Sequence, residues 1–324
     1  MGSRIRIAAV AALLGTGQGW AADCGPLQQV DTVDLTGPEL KPLVPVSLNG
    51  STKLFMLDTG GSVTQVGRPV VTDLKLPVEE MNVRIYDLYG NASGDMTTVK
   101  DFRLGRLGGR TDLAVSPMTS LGLPGRPDGI LAPDVMYNYD VEMDFAGRHL
   151  NYFNRDHCPG RVIYWPHQAL AIVPMEFTDV HIIIDTAIDG VAARTIIDTG
   201  ASTTSMPADM AKRLFGIVPD GPGNTPVDNP TMPGAFKHLF SKLDFEGVAV
   251  ANVSVLIMPK LIGTKDVNNG FQTGSRTQRY TDDINTQRMI LGMDIMRHLR
   301  LYIAFGERKL YITEASKPAA ASAN

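Results

Sequence analysis

Short runs of apolar and β-branched residues alternate with turn residues along most of this 324-residue chain. Runs of this length are typical of β-strands, whereas a helix needs an apolar stripe that recurs every three or four positions. Helical spacing is confined to three short stretches, at 133–139, 207–215 and 293–299. The pattern therefore predicts a mainly β protein with few helices.

The same pattern occurs twice. The segment "VPVSLNGSTKLFMLDTGGS" at 44–62 parallels "IIIDTAIDGVAARTIIDTGAS" at 182–202, so that two Asp-Thr-Gly motifs lie 140 residues apart. Asn49-Gly50 and Asp189-Gly190 precede the two motifs at the same distance, and both dipeptides favour a tight turn between strands. Each copy is predicted to form a hairpin, followed by a loop that begins with an aspartate.

Two further segments match each other downstream, "GILAPDVM" at 129–136 and "MILGMDIM" at 289–296. They lie 160 residues apart, so the second copy has about 20 additional residues, and these fall in the polar stretch 260–288. That stretch is predicted to be a long surface loop. Asp134 and Asp294 occupy equivalent places in the matched segments, where we interpret them as caps of helix starts.

The duplication predicts two lobes, and the chain is long enough for each lobe to bury a core of its own. We expect a signal peptide at 1–22, a first lobe at 23–157, a connection at 158–172, a second lobe at 173–315 and a disordered tail at 316–324.

The doubled Asp-Thr-Gly loops and their matched downstream segments resemble the aspartic peptidases of the pepsin and retropepsin clan. The resemblance covers almost the whole chain after its N-terminal segment. It implies a bilobal acid-protease fold, in which two homologous β-barrel lobes are related by pseudo-twofold symmetry around a central cleft. It also implies that Asp58 and Asp198 are catalytic and meet across the symmetry axis.

Two facing carboxyl groups offer a specific chemistry. They do not both ionise readily when they lie within hydrogen-bond distance, so the pair holds one proton over a range of pH. The ionised partner can accept a proton from water, while the protonated partner donates to the scissile carbonyl oxygen. This reaction requires neither a metal nor another cofactor. Because one chain contains both half-sites, a monomer is sufficient.

The motif residues beside the aspartates are expected to support them. By the resemblance, Thr59 and Thr199 hydrogen-bond across the axis and hold the carboxyl groups coplanar. Gly60 and Gly200 allow a tight turn that brings backbone N–H groups close to the carboxylates.

Members of the family cover the cleft with a flap hairpin. The candidate here is the stretch 85–99, in which Tyr86, Tyr89 and Gly90 are candidate substrate-contacting residues. The two tyrosines are equally well explained as half-buried residues of a strand that do not contact substrate. The corresponding stretch of the second copy, 228–240, is rich in proline and resembles a flexible hairpin less. The expected substrate is an extended polypeptide bound as a strand in the cleft.

Two residues depart from the family's pattern. Gly61 follows the first motif, where Ala, Ser or Thr is commoner, and Ala132 stands where the second copy has Gly292. Since pepsin-like members are credited with a hydroxyl after the motif that lowers the carboxyl pKa, Gly61 and Ala201 predict a mildly acidic to neutral optimum.

Two alternatives remain at this point. The first is a catalytically inactive peptide-binding protein with the same bilobal fold, which Gly61 and Ala132 favour and two intact motifs disfavour. The second is an unrelated β-sandwich whose Asp-Thr-Gly loops are ordinary turns.

The N-terminus has the features of a cleaved export signal. Arg4 and Arg6 precede an apolar stretch at 7–14, and small residues around 19–21 provide a cleavage site. The apolar stretch is too short to span a bilayer. Asp23 stands where a lipidation site would need a small residue, so no stable membrane anchor is expected. The predicted location is the periplasm.

Cys24 and Cys158 are the only cysteines, and an even count in an exported protein suggests a disulfide. The alternative is two unpaired, small hydrophobic residues.

Other classes of function lack support in the sequence. The net charge is -4 and Lys and Arg do not cluster, so a nucleic-acid-binding protein is excluded. The six histidines do not have the spacing of a zinc site, and the chain contains no Gly-x-Ser-x-Gly nucleophile motif.

Overall fold

The computed structural model describes residues 4–7, 24–86, 91–178, 180–230, 232–259 and 288–315. The strands in these parts of the chain are β1 Arg4–Ile7, β2 Gln29–Asp34, β3 Leu43–Leu48, β4 Ser51–Leu57, β5 Gln65–Val66, β6 Val78–Tyr86, β7 Ala92–Leu104, β8 Leu107–Val115, β9 Gly129–Leu131, β10 Asp140–Asp144, β11 His149–Phe153, β12 Ala171–Pro174, β13 Glu176–Thr178, β14 His181–Ile188, β15 Val191–Ile197, β16 Ser205–Pro207, β17 Asn224–Pro226, β18 Phe236–Phe245, β19 Val248–Met258, β20 Met289–Leu291, β21 Leu299–Ala304 and β22 Lys309–Glu314. The helices are α1 Arg68–Asp73, α2 Ala208–Phe215 and α3 Met293–Met296, with a 3-10 turn at Pro133–Val135.

These strands form three sheets. A seven-stranded sheet of the first copy has the order β3-β4-β9-β5-β8-β7-β6, and a nine-stranded sheet is built mainly from the second copy. A six-stranded sheet, in the order β12-β22-β21-β10-β11-β2, takes strands from both copies. The mainly β class is confirmed. The predicted lobe boundaries stay a prediction, because the shared sheet joins the two copies.

The two predicted hairpins are confirmed. Leu48 lies opposite Ser51, and Ile188 lies opposite Val191, so each turn contains two residues. The φ angles are 50° and 86° in the first turn and 45° and 80° in the second. Positive φ at both central positions defines the type I′ turn that Asn-Gly and Asp-Gly favour, since its twist matches that of the flanking strands.

The predicted helical stretches are shorter in the structure. The first, at 133–139, forms only a 3-10 turn, and the last, at 293–299, forms only α3. Both stretches connect strands of two different sheets, β9 to β10 and β20 to β21, so the chain leaves the helix after about one turn. The middle stretch forms α2, which ends at Gly216 in the left-handed conformation with φ of 68°.

The shared sheet contains a buried ionic contact between the copies. Arg300 of β21 pairs with Glu142 and, at 3.2 Å, with Asp144 of β10. The Arg300 guanidinium also lies 4.3 Å from the centre of the Trp165 ring. Glu142 is fully buried, so the arginine compensates a carboxylate that has lost its water. This contact ties β10 of the first copy to β21 of the second.

The disulfide between Cys24 and Cys158 is confirmed. Their Cα atoms are 4.8 Å apart, and the bond closes a loop with a sequence separation of 134 residues. A cross-link of this length restricts the unfolded chain strongly.

Replacing both cysteines by serine is expected to lower the free energy of unfolding by up to about 4–5 kcal/mol, because the unfolded chain regains its freedom. Urea unfolding of the oxidised protein and of the Cys24→Ser/Cys158→Ser variant measures the difference. A reductant should lower the midpoint of the wild type and leave the variant unchanged. Equal midpoints for all samples would contradict the prediction.

The N-terminal segment contains a strand that the sequence pattern did not indicate. β1 pairs antiparallel with residues 248–251 of β19. The predicted signal peptide stays a prediction, since residues 8–23 lie outside the described residues. The predicted loop at 260–288, except its last residue, and the predicted tail at 316–324 also lie outside them. No helix in the described part of the chain is long and apolar enough to cross a membrane.

Candidate active site

Each Asp-Thr-Gly loop leaves the end of a strand that is held by its matched downstream segment. β4 runs parallel to β9, and β15 runs parallel to β20. The Asp58 N–H donates to the Leu131 carbonyl at 2.9 Å, and the Asp198 N–H donates to the Leu291 carbonyl at 3.1 Å. The duplicated segments therefore place both aspartates by the same backbone contact.

The structure places the Asp58 and Asp198 carboxyl groups side by side, each against the glycine of the opposite motif, and a hydrogen bond between them contributes to the shifted pKa of both. Both side chains are half-buried, so they are surrounded by protein and still reachable by solvent. Burial and the charge of Asp198 raise the pKa of Asp58 well above its ordinary value. Burial also raises the pKa of Asp198, against the lowering effect of a hydrogen bond from Asp58 and of nearby backbone N–H groups. The pair retains a proton at a pH where separate carboxyl groups would be ionised.

Backbone N–H groups of the loops point at the carboxylates. The Gly60 N–H donates to Asp58 Oδ1 at 3.1 Å. Asp198 Oδ1 accepts from Gly200 at 2.8 Å and from Ala201 at 3.1 Å. These fixed dipoles stabilise negative charge on the pair.

The two motif glycines pack against the opposite aspartates. A Cβ atom on Gly60 would lie 2.3 Å from Asp198 Cγ, and a Cβ atom on Gly200 would lie 2.5 Å from Asp58 Cγ. Real Cβ atoms do not approach that closely. Only glycine at both places lets the carboxyl groups meet.

Thr59 and Thr199 link the loops through four hydrogen bonds, and both residues are fully buried. The Thr59 hydroxyl donates to the Ile197 carbonyl at 2.7 Å, and the Thr199 hydroxyl donates to the Leu57 carbonyl at 2.8 Å. Each hydroxyl oxygen also accepts from the backbone N–H of the other threonine at 3.0 Å. The network fixes one loop relative to the other.

Replacing Thr59 by Val is expected to lower the free energy of unfolding by about 2–4 kcal/mol, because the Thr199 N–H and the Ile197 carbonyl lose their partners in a buried place. Thermal unfolding measures the loss. Thr59→Ser retains the hydroxyl and is the matched control, with a stability close to wild type. A Val variant as stable as the Ser variant would contradict the role of these hydrogen bonds.

Asp134 and Asp294 lie in the first turn of their helical segments, whose N-cap residues are Ala132 and Gly292. Asp134 accepts from the Thr64 N–H at 2.8 Å and from the Thr64 hydroxyl. Asp294 accepts from the Thr204 N–H at 2.9 Å and from its hydroxyl at 2.7 Å. The capping interpretation was incomplete: Asp294 Oδ1 accepts from the Ile295 N–H at 3.0 Å at the start of α3, but the Thr64 and Thr204 partners lie 70 and 90 residues away, in the loops that follow the motifs. The sequence did contain a signal for these contacts, because both copies have a Thr after the motif and an Asp in the downstream segment at matched positions.

The flap candidate begins in a hairpin of β6 and β7. Tyr86 is the last residue of β6, whereas Tyr89 and Gly90 lie outside the described residues. Arg68 of α1 forms an ion pair with Asp95 of β7, which attaches the hairpin to the body of the first copy. A cavity of about 690 Å³ lies between the hairpin and α1.

In the described parts of the chain, no group of three or more His, Cys, Asp or Glu side chains is arranged to hold a metal ion.

Comparison with known proteins agrees with this geometry. The sequence profile of the family described as "Aspartyl protease" matches residues 44–135 and 184–295, together more than half of the chain. The chain therefore belongs to the aspartyl protease family. The crystal structure of aspartic proteinase from Irpex lacteus is similar, with a TM-score of 0.51 and 14% identity, over 90% of this chain and 99% of that chain. That likeness shows a shared bilobal fold. A search of curated proteins finds no match.

Proposed function

We propose that this chain is an exported aspartic endopeptidase that hydrolyses peptide bonds with a water molecule activated between Asp58 and Asp198. The observation that carries the proposal is the hydrogen-bonded pair of carboxyl groups, one from each copy of the duplicated motif. Membership of the aspartyl protease family supports a peptidase activity.

The proposed reaction begins with one proton on the pair. The proton belongs to the pair as a whole, because burial raises the pKa of both carboxyl groups, and backbone N–H groups around both aspartates stabilise the remaining negative charge. The ionised carboxylate accepts a proton from water, whose oxygen attacks the scissile carbonyl carbon. The protonated carboxyl donates to the carbonyl oxygen, which gives a neutral tetrahedral diol. The carboxyl group that received the proton from water then gives it to the amide nitrogen, while a hydroxyl group of the diol gives its proton to the other carboxylate. The C–N bond breaks, a carboxylic acid and an amine are released, and the pair again holds one proton.

The proposed substrate is an extended polypeptide lying between lobes 23–157 and 173–315, with 158–172 as their connection. Main-chain hydrogen bonds to such a strand supply affinity without demanding one sequence. The hairpin of β6 and β7 is the proposed flap, with Tyr86, Tyr89 and Gly90 near the substrate. Both half-sites belong to one chain, so a monomer is the proposed active form.

Export to the periplasm is proposed from the N-terminal sequence together with the disulfide. Disulfides persist in oxidising compartments and are rare in the cytosol of mesophiles. The Cys24–Cys158 bond supports such a compartment.

The activity is expected to have a mildly acidic to neutral pH optimum. Activity rises as the pair loses its first proton and falls as it loses the second, and the raised pKa of Asp58 moves the falling limb upward. The nearby Ser202 hydroxyl donates to the Leu40 carbonyl at 3.2 Å, not to Asp198. A pH profile of kcat/KM tests this. A sharp optimum below about pH 3, under the ordinary carboxyl pKa range, would contradict it.

Digestion of a denatured proteome, read by mass spectrometry at several pH values, tests the proposed function. Purified protein should produce internal cleavages with a recognisable residue preference. The matched control is the Asp58→Asn/Asp198→Asn double variant, prepared in the same way, which should produce none. Cleavage by both samples would indicate a contaminant, whereas no cleavage by the wild type would favour the inactive peptide-binding alternative.

A further inference from the structure

The two half-sites differ in the position of a single methyl group. The first copy has Gly61 after its motif and Ala132 in its downstream segment, whereas the second has Ala201 and Gly292 at the same places. At these two positions each half-site therefore has one methyl group. It belongs to the downstream segment in the first copy and to the motif loop in the second.

In the first copy the two positions compete for the same space. A Cβ atom on Gly61 would lie 3.4 Å from the Ala132 Cβ and 3.3 Å from Asp58 Oδ2. The 3.3 Å distance is tighter than nine in ten real contacts of a Cβ atom, and 3.4 Å is the lower edge of ordinary van der Waals contact, so the neighbours would have to shift by a few tenths of an ångström. Ala132 is fully buried, so the atoms packed around its methyl group restrict any movement away from residue 61. A methyl group on residue 61 would therefore press on Ala132 and on the Asp58 carboxyl group together.

In the second copy the backbone of the loop, and not the methyl group of Ala201, excludes a Cβ atom at position 292. A Cβ atom on Gly292 would lie 2.5 Å from the backbone carbon of Thr203 and 2.8 Å from its oxygen. The anchoring contacts are nevertheless equal, since Ala132 donates to Thr64 Oγ1 at 3.1 Å and Gly292 donates to Thr204 Oγ1 at 3.1 Å. The copies also differ beside this contact, because the Met293 N–H donates to the Ala201 carbonyl at 2.8 Å and Pro133, at the matched position, has no N–H.

We propose that Gly61 and Ala132 are a compensating pair of positioning residues. The Ala132 methyl group supports the first motif loop from behind, and the glycine at 61 leaves room for that methyl group and for Asp58 in its contact with Asp198. The two departures from the family's pattern thus offset one another. The packing part of this inference stands alone, and its consequence for catalysis rests on the proposed function.

A double-mutant cycle tests the pair. Gly61→Ala alone should lower kcat about 10-fold with little change in KM, because small displacements of a reacting group are costly. Its new methyl group excludes water from Asp58 and so raises the pKa of this carboxyl group further, and the falling limb of the pH profile should move to higher pH. Ala132→Gly alone should lower the unfolding temperature by leaving a void.

The Gly61→Ala/Ala132→Gly double variant reproduces the arrangement of the second copy. It should recover kcat to within about 3-fold of wild type and restore the pH profile, because the new methyl group occupies the space that the old one leaves. Gly306→Ala is the matched control, since no atom lies within 4 Å of a Cβ atom there.

Two outcomes would overturn the inference: a Gly61→Ala protein with wild-type activity and pH profile, or losses that simply multiply in the double variant. If the wild type cleaves no peptide, the packing part of the inference is tested by thermal unfolding of the same variants. A double variant more stable than Gly61→Ala would then support the packing pair while the proposed function fails. A double variant less stable than both single variants would overturn the pair as well.

Discussion

Replacing either Asp58 or Asp198 by Asn is expected to lower kcat by about 10³-fold or more, because each carboxyl group acts as acid or base in the same step. Asn has nearly the same shape but neither accepts nor delivers the proton. Each aspartate contacts the other and lies against the other loop's glycine, so one substitution disables both halves of the pair. Steady-state kinetics on a peptide found in the proteome digest measures the loss.

The same variants should stay folded, and their stability relative to the wild type should increase as pH rises. The raised pKa of Asp58 means that the folded state binds this proton more tightly than the unfolded state. Its contribution is present below the ordinary carboxyl pKa and is lost as pH rises toward the raised pKa. Asn removes this loss, so the unfolding temperature of Asp58→Asn minus that of wild type should increase between about pH 4 and pH 7. Retained activity, or unfolding of both variants, would contradict the assignment.

Gly60→Ala and Gly200→Ala are expected to lower kcat by about 10²-fold or more, since a methyl group in either place displaces the opposite aspartate. A Cβ atom at 2.3 Å or 2.5 Å from a carboxyl carbon cannot be accommodated without separating the pair. The unfolding temperature should fall as well, because the threonine network shares the same two loops.

The kinetic and thermal measurements of these glycine variants have two controls. Gly306→Ala changes the same atoms in an exposed turn and should leave both measurements unchanged. The milder Gly61→Ala variant lies one residue further along the loop. An effect at Gly60 no larger than at Gly61 would show that the close contact with the opposite aspartate is unimportant.

The sequence alone determined those features that depend on neighbouring residues. Asn49-Gly50 and Asp189-Gly190 predict two-residue hairpins because their backbones adopt positive φ readily, and both turns have that conformation. The duplicated motif predicts the bilobal fold, since two matched hairpins imply two matched lobes. Helix lengths were predicted less well, because neighbouring sheets ended the segments at 133–139 and 293–299 early.

Only the tertiary structure decided the features that depend on contacts between distant parts of the chain. Asp134 and Asp294 bind threonines of the motif loops, which local capping rules do not consider. Gly61 and Ala132 look like two separate defects in the sequence, yet they meet in space, where a methyl group on residue 61 would crowd the methyl group of Ala132. Close packing couples residues by distance and volume, whereas a sequence pattern records only their order along the chain.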